Sequence, residues 1–82
     1  MSNSPAQCRA ARALIAMDQA DLARVAVVHR DVVMEFENGG RMPSDGDLAA
    51  LRKALEGAGV QFLEEDGEGE GVRFRKKKRG RT

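Results

Sequence analysis

The chain has 82 residues, 41% of them hydrophobic and 33% charged, with a formal net charge of +1. A domain this small hides only roughly 60–65% of its unfolded surface, so one small core and help from a partner subunit are expected. One cysteine, Cys8, rules out an internal disulfide, and no apolar run reaches the roughly 18 residues of a membrane span. The first residues also lack the basic-then-apolar layout of a signal peptide, so a soluble, cytoplasmic protein is expected.

Ser4-Pro5-Ala6-Gln7 reads as a helix start: Ser caps, Pro takes the first helical position, and Gln closes a capping box. The helix runs to about Ile15, with Cys8, Ala11 and Ile15 on one face. Cys8 among alanines reads as a small buried hydrophobe and not as a nucleophile. Asp18 caps a second helix to about Ala26, and Val27-Val28-His29 makes a corner. A third helix reaches about Asn38, where Gly39-Gly40 supplies a left-handed stop. After Met42-Pro43, Ser44 or Asp45 caps a fourth helix whose Leu48, Leu51, Leu55 and Ala58 form one apolar stripe, ended by Gly57 and Gly59. The period then changes to alternation, and strands are expected at about 60–65 and 71–76 across a turn at 66–71. Val60, Phe62, Val72 and Phe74 share one face of this hairpin. An isolated hairpin is unstable in water, so it must pack on the helices or pair with another chain.

The stretch QADLARVAVVHRDVVMEF, Gln19 to Phe36, has the spacing of two short helices crossing at a sharp corner. Counted from Gln19, the fourth, fifth, eighth, tenth, fifteenth and eighteenth positions must be apolar or small. They are Leu22, Ala23, Ala26, Val28, Val33 and Phe36. Ala23 matters most, because the second helix crosses close to it.

With Gln19-Ala20-Asp21-Leu22-Ala23 opening one helix, Val33-Met34-Glu35-Phe36-Glu37-Asn38-Gly39 closing the next and Pro43 before the fourth, residues 5–59 resemble the xenobiotic-response-element (XRE), or lambda-repressor-like, DNA-binding family. The resemblance implies a mainly α, lambda-repressor-like helix-turn-helix bundle of four helices in residues 1–59. A β-hairpin at 60–76, a possible dimerisation element, and a basic tail at 77–82 would follow. The hairpin departs from the family's usual fifth helix. The expectation is that two subunits join hairpin edges into a four-stranded sheet.

In such a module the third helix enters the major groove N-terminus first, so His29, Arg30, Asp31, Val32, Met34 and Glu35 are the candidate base contacts. The Arg30 fork matches guanine N7 and O6, Asp31 or Glu35 accepts from a cytosine amino group, and Val32 meets a thymine methyl. The competing reading of Arg30 is an ordinary solvated side chain. By resemblance, Gln19, Asn38 and Arg41 sit at phosphate-contacting positions. Arg12 and Glu37 match a structural pair joining the first helix to the end of the third.

Two positions depart from the family. Val27 stands where Gly is usual, because the corner wants a left-handed backbone, at a cost of about 1–2 kcal/mol or a different bend. His29 stands where Ser or Thr is usual. It caps poorly, but it can donate to DNA and would make binding pH-sensitive; an exposed His with no special role is the competing reading.

Charge is distributed unevenly. All thirteen carboxylates and seven of the fourteen cationic side chains precede Arg73, so the body is net negative. The other seven cations are Arg73, Arg75, Lys76, Lys77, Lys78, Arg79 and Arg81. Two carboxylates on the recognition helix, Asp31 and Glu35, weigh against DNA. The basic segment offers compensation: Arg75, Lys76, Lys77, Lys78, Arg79 and Arg81 are candidate phosphate contacts, as an arm along the backbone or in a minor groove. The competing reading is a solubilising tail.

No catalytic constellation is visible, with one His, one Cys and Ser only at 2, 4 and 44. Cys8 and His29 do not make a zinc site, and Gly67-Glu68-Gly69-Glu70-Gly71 would repel phosphate. Residues 64–70 lack calcium-loop spacing. No enzyme, cofactor, metal, small-molecule substrate or membrane is expected. The expectation is a homodimeric regulator of phage, mobile-element or promoter type, nucleoid-associated and bound to double-stranded DNA. The alternative is a module binding RNA polymerase or another regulator through its acidic face, or an antitoxin.

Overall fold

The computed structural model describes residues 3–75. It is mainly helical: α1 spans Pro5–Leu14, α2 Gln19–Ala26, α3 Arg30–Glu37 and α4 Asp45–Gly57, followed by strands β1 Val60–Leu63 and β2 Gly71–Phe74. No described helix is long and apolar enough to cross a membrane.

Helix starts follow their capping residues. The Ser4 hydroxyl accepts from Gln7 N at 3.1 Å, and Gln7 Oε1 accepts from Ser4 N at 2.9 Å, which closes the expected capping box. Asp18 Oδ1 accepts from Asp21 N, and Ser44 Oγ from Asp47 N, so Ser44 and not Asp45 caps α4. Helix ends need a reversed backbone. Gly39 provides it after α3 with φ 76° and Gly59 after α4 with φ 108°. Two non-glycine residues do the same work under strain, Ala16 after α1 and Val27 after α2.

Cys8, Ala11, Leu22, Ala23, Val33, Phe36, Leu51, Leu55, Val60 and Phe62 form one buried core. All six apolar positions expected around the corner pack here: Leu22, Ala23, Val33 and Phe36 are buried, and Ala26 and Val28 half-buried. Ala58 is exposed, so the stripe of α4 ends at Leu55.

The strands pair antiparallel, Val60 with Phe74, Gln61 with Arg73, Phe62 with Val72 and Leu63 with Gly71. They are shorter than the expected 60–65 and 71–76, because Glu64 and Glu65 begin a turn in which carboxylates accept from Gly67, Glu68 and Gly69 amides. The hairpin packs on the helices. Gln7 Nε2 donates to Leu63 O and Gly71 O at its turn end, and the Arg52 guanidinium lies 4.8 Å above the Phe62 ring. Arg52 is in turn held by Glu56 and Glu64. Phe74, expected to share the core face, is 58% exposed at the end of β2.

Candidate nucleic-acid interface

α2 and α3 meet at the corner Val27-Val28-His29. Val27 adopts φ 59°, ψ 48°, the left-handed conformation in which a β-branched side chain crowds its own backbone. The strained alternative is the one the chain takes. His29 then caps α3, with Nδ1 accepting from Asp31 N at 3.2 Å. That role requires a lone pair on Nδ1, so the neutral ring carries its proton on Nε2.

The far end of α3 is fastened harder. Arg12 Nε donates to Glu37 Oε2 at 2.7 Å and Arg12 Nη2 to Glu37 Oε1 at 2.6 Å, the two-pronged pair expected from the sequence. Arg12 Nη1 also donates to Met17 O, tying in the α1–α2 connection, and Arg9 donates to the Glu37 carbonyl. The Glu37 side chain is 1% exposed. Burial pushes its carboxyl up, but hydrogen bonds from Arg12, Gln19 and Cys8 outweigh burial and hold it below the usual range. The Cys8 thiol is driven up, first by burial and then by the carboxylate it donates to. Cys8 is therefore protonated and inert.

Between these anchors α3 stands as a ridge with a cleft on each flank. Arg30 and Met34 border one cleft of about 520 Å³, opposite Asp18, Gln19 and Ala20. His29, Asp31, Val32 and Glu35 border the other, about 400 Å³, opposite Arg41 and Met42. Five of the six candidate base contacts are exposed and Val32 is half-buried. Arg30 makes no hydrogen bond or ion pair among the described residues.

Glu35 Oε1 lies 3.8 Å from Arg41 Nε, a pair that faces water and adds little stability. Asp31 Oδ2 lies 3.7 Å from His29 Nδ1, but that nitrogen already accepts from Asp31 N and offers the carboxylate no proton. The effect is local, setting Arg41 beside one of the two ridge carboxylates.

The candidate phosphate contacts divide. Asn38 and Arg41 are exposed just past α3. Gln19 lines the Arg30 cleft, but its amide donates to Glu37 Oε1 at 3.0 Å. Gln19 therefore has an internal task that position alone did not disclose. Arg75 is exposed at the end of β2 and lines neither cleft. Lys76, Lys77, Lys78, Arg79 and Arg81 lie outside the described residues. Arg9 and Met42 were not anticipated. Arg9 precedes Arg12 by three positions, the helical spacing that could have shown both serving Glu37.

Among the described residues no group of three or more His, Cys, Asp or Glu could hold a metal ion. Comparison with protein-family models and with curated proteins finds no match to this chain, so its reading rests on its own residues.

Proposed function

We propose that the chain is a sequence-specific DNA-binding transcriptional regulator of the XRE, lambda-repressor-like class, acting as a homodimer on an operator with two half-sites. One observation carries this reading: a helix fixed at both ends projects His29, Arg30, Asp31, Met34 and Glu35 from one ridge. Rigid presentation of side chains at that spacing is what base readout requires. In this reading α2 and α3 form the helix-turn-helix. Arg30, free of internal partners, takes guanine, Asp31 and Glu35 accept from cytosine amino groups, and Val32 packs on thymine methyls.

Arg41, Asn38 and Gln19 then lie toward the sugar–phosphate backbone, and the cations of residues 73–81 supply sequence-independent affinity. Two such subunits read half-sites about 34 Å apart. Control comes from the protein's own concentration or from a partner, as suits a phage, mobile-element or antitoxin setting. A mobility-shift assay on the cognate upstream region tests the proposal. A shift that survives excess random duplex and disappears in Arg30→Ala supports it; a shift unchanged in Arg30→Ala rejects it.

A second reading has its own observation. Asp31, Glu35 and Asp47 line one cleft with Met42, which is 67% exposed. An acidic cleft beside an exposed thioether suits a basic protein segment, such as one on RNA polymerase or another regulator. That reading predicts no specific duplex shift and loss of the protein partner in Met42→Ala.

A further inference from the structure

A carboxamide with no partner lines a cleft that the helix-turn-helix does not use. Asn3 is only 8% exposed, and its Nδ2 and Oδ1 are both buried without a hydrogen-bond partner. Buried polar side chains are ordinarily paired, so an orphaned donor and acceptor on one side chain call for an occupant. The helix cap next to Asn3 does not supply the bonds. Ser4 N donates to Gln7 Oε1, and the Ser4 hydroxyl accepts from Gln7 N and donates to Glu70, so the capping box is complete without Asn3.

Asn3 borders a cleft of about 290 Å³ against one face of α4, where Asp45, Leu48, Ala49 and Arg52 follow at helical spacing. That size lies at the lower end for small-molecule sites. Leu48 and Ala49 give the cleft an apolar wall. The Arg52 guanidinium is committed elsewhere, held by Glu56 and Glu64 and lying over Phe62. Asp45 adds an exposed carboxylate. With its cation neutralised and an acid on its wall, the cleft disfavours an anion. It shares no lining residue with the two clefts beside α3.

A carboxamide presents a donor and an acceptor side by side. The group that meets both at once carries N–H and C=O on the same edge. A ring amide does so, because its amide bond is held cis. In a trans peptide unit the two groups point to opposite sides.

We propose that this cleft binds an uncharged cyclic amide with an apolar body. Asn3 Nδ2 donates to the ring carbonyl, Asn3 Oδ1 accepts from the ring N–H, and Leu48 and Ala49 pack on the methylenes. The site adds a small-molecule input to the chain. It does not depend on what α3 binds, and its test uses no DNA.

Titration of the full chain with ε-caprolactam, followed through amide and side-chain resonances, tests the site. N-methylcaprolactam runs alongside, since it keeps the ring and the carbonyl but lacks the donor. The expected result is saturable shifts at the Asn3 side-chain amide, Leu48 and Ala49. N-methylation of the lactam and Asn3→Leu should each raise the dissociation constant by about tenfold, with helical circular dichroism retained. If Asn3→Leu unfolds the chain, the two lactams on the wild type decide. No saturable shift at the solubility limit of caprolactam, which would leave a trapped water as the Asn3 partner, overturns the proposal. Equal constants for the two lactams overturn it as well. So does a linear amide, N-acetyl-leucine methylamide, that binds the same residues more tightly than caprolactam.

Discussion

Arg12 and Glu37, 25 positions apart, are joined by two parallel hydrogen bonds of 2.7 and 2.6 Å, which lock α1 to the last residue of α3. Their exposures are unequal, 19% for the arginine side chain and 1% for the carboxylate. Removing the arginine strands a buried anion, while removing the glutamate leaves a cation that still reaches water. Arg12→Ala is therefore expected to cost about 3 kcal/mol in urea unfolding, and Glu37→Gln measurably less.

The same carboxylate gives the fold an acid limit. Glu37 titrates below its ordinary value when folded, so the unfolded chain binds its proton more readily. Stability from this group is complete above the unfolded value of about 4.3 and is lost as pH falls through the lower folded value. Melting temperature should drop steeply below about pH 4 in the wild type. Glu37→Gln, which has no proton to take up there, should show a shallower decline.

Val27 offers the opposite outcome. The residue is 87% exposed, so it contributes little packing, yet its backbone is left-handed. Val27→Gly removes that conflict and should stabilise the chain by about 1 kcal/mol, against a small entropic loss from the more flexible unfolded state. Thermal melts check this: a rise of a few degrees is expected, and a fall would mean that the valine packs in a way its exposure does not reveal.

These residues also mark how far the sequence could be read. Short-range features were legible: Ser4 with Gln7, Asp18 and Ser44 are caps because their side chains meet amides three positions away. The core around Leu22, Ala23, Val33 and Phe36 followed from spacing, and Val27 was recognisable as strained because the corner needs a reversed backbone. Long-range partners were not legible, apart from Arg12 with Glu37, which came from family resemblance. Nothing local says that Gln7 bridges Leu63 and Gly71, that Gln19 turns inward to Glu37, or that Arg52 covers Phe62. Ala16 gave no signal of its left-handed backbone, since alanine there looks like ordinary helix. At the site, which α3 residues project was readable from period, but the placing of Arg41 beside Glu35 depends on the fold of the following loop.

The basic segment yields a prediction about salt. Removing residues 76–82 should leave the fold of the described residues intact, with an unchanged melting temperature. If those cations touch phosphate, the slope of log affinity against log salt should flatten by about 0.9 for each phosphate they neutralise. An unchanged slope would assign all electrostatic affinity to Arg30, Arg41 and their neighbours.

The central claim is that the α3 ridge meets nucleobases. Amide and side-chain resonances of the full chain, followed as its cognate duplex is titrated in, test this most directly. The account predicts the largest shifts at His29, Arg30, Asp31, Met34 and Glu35, with loss of the pattern on a scrambled duplex. Shifts confined to Arg73, Arg75 and the residues beyond, with α3 silent, would contradict it.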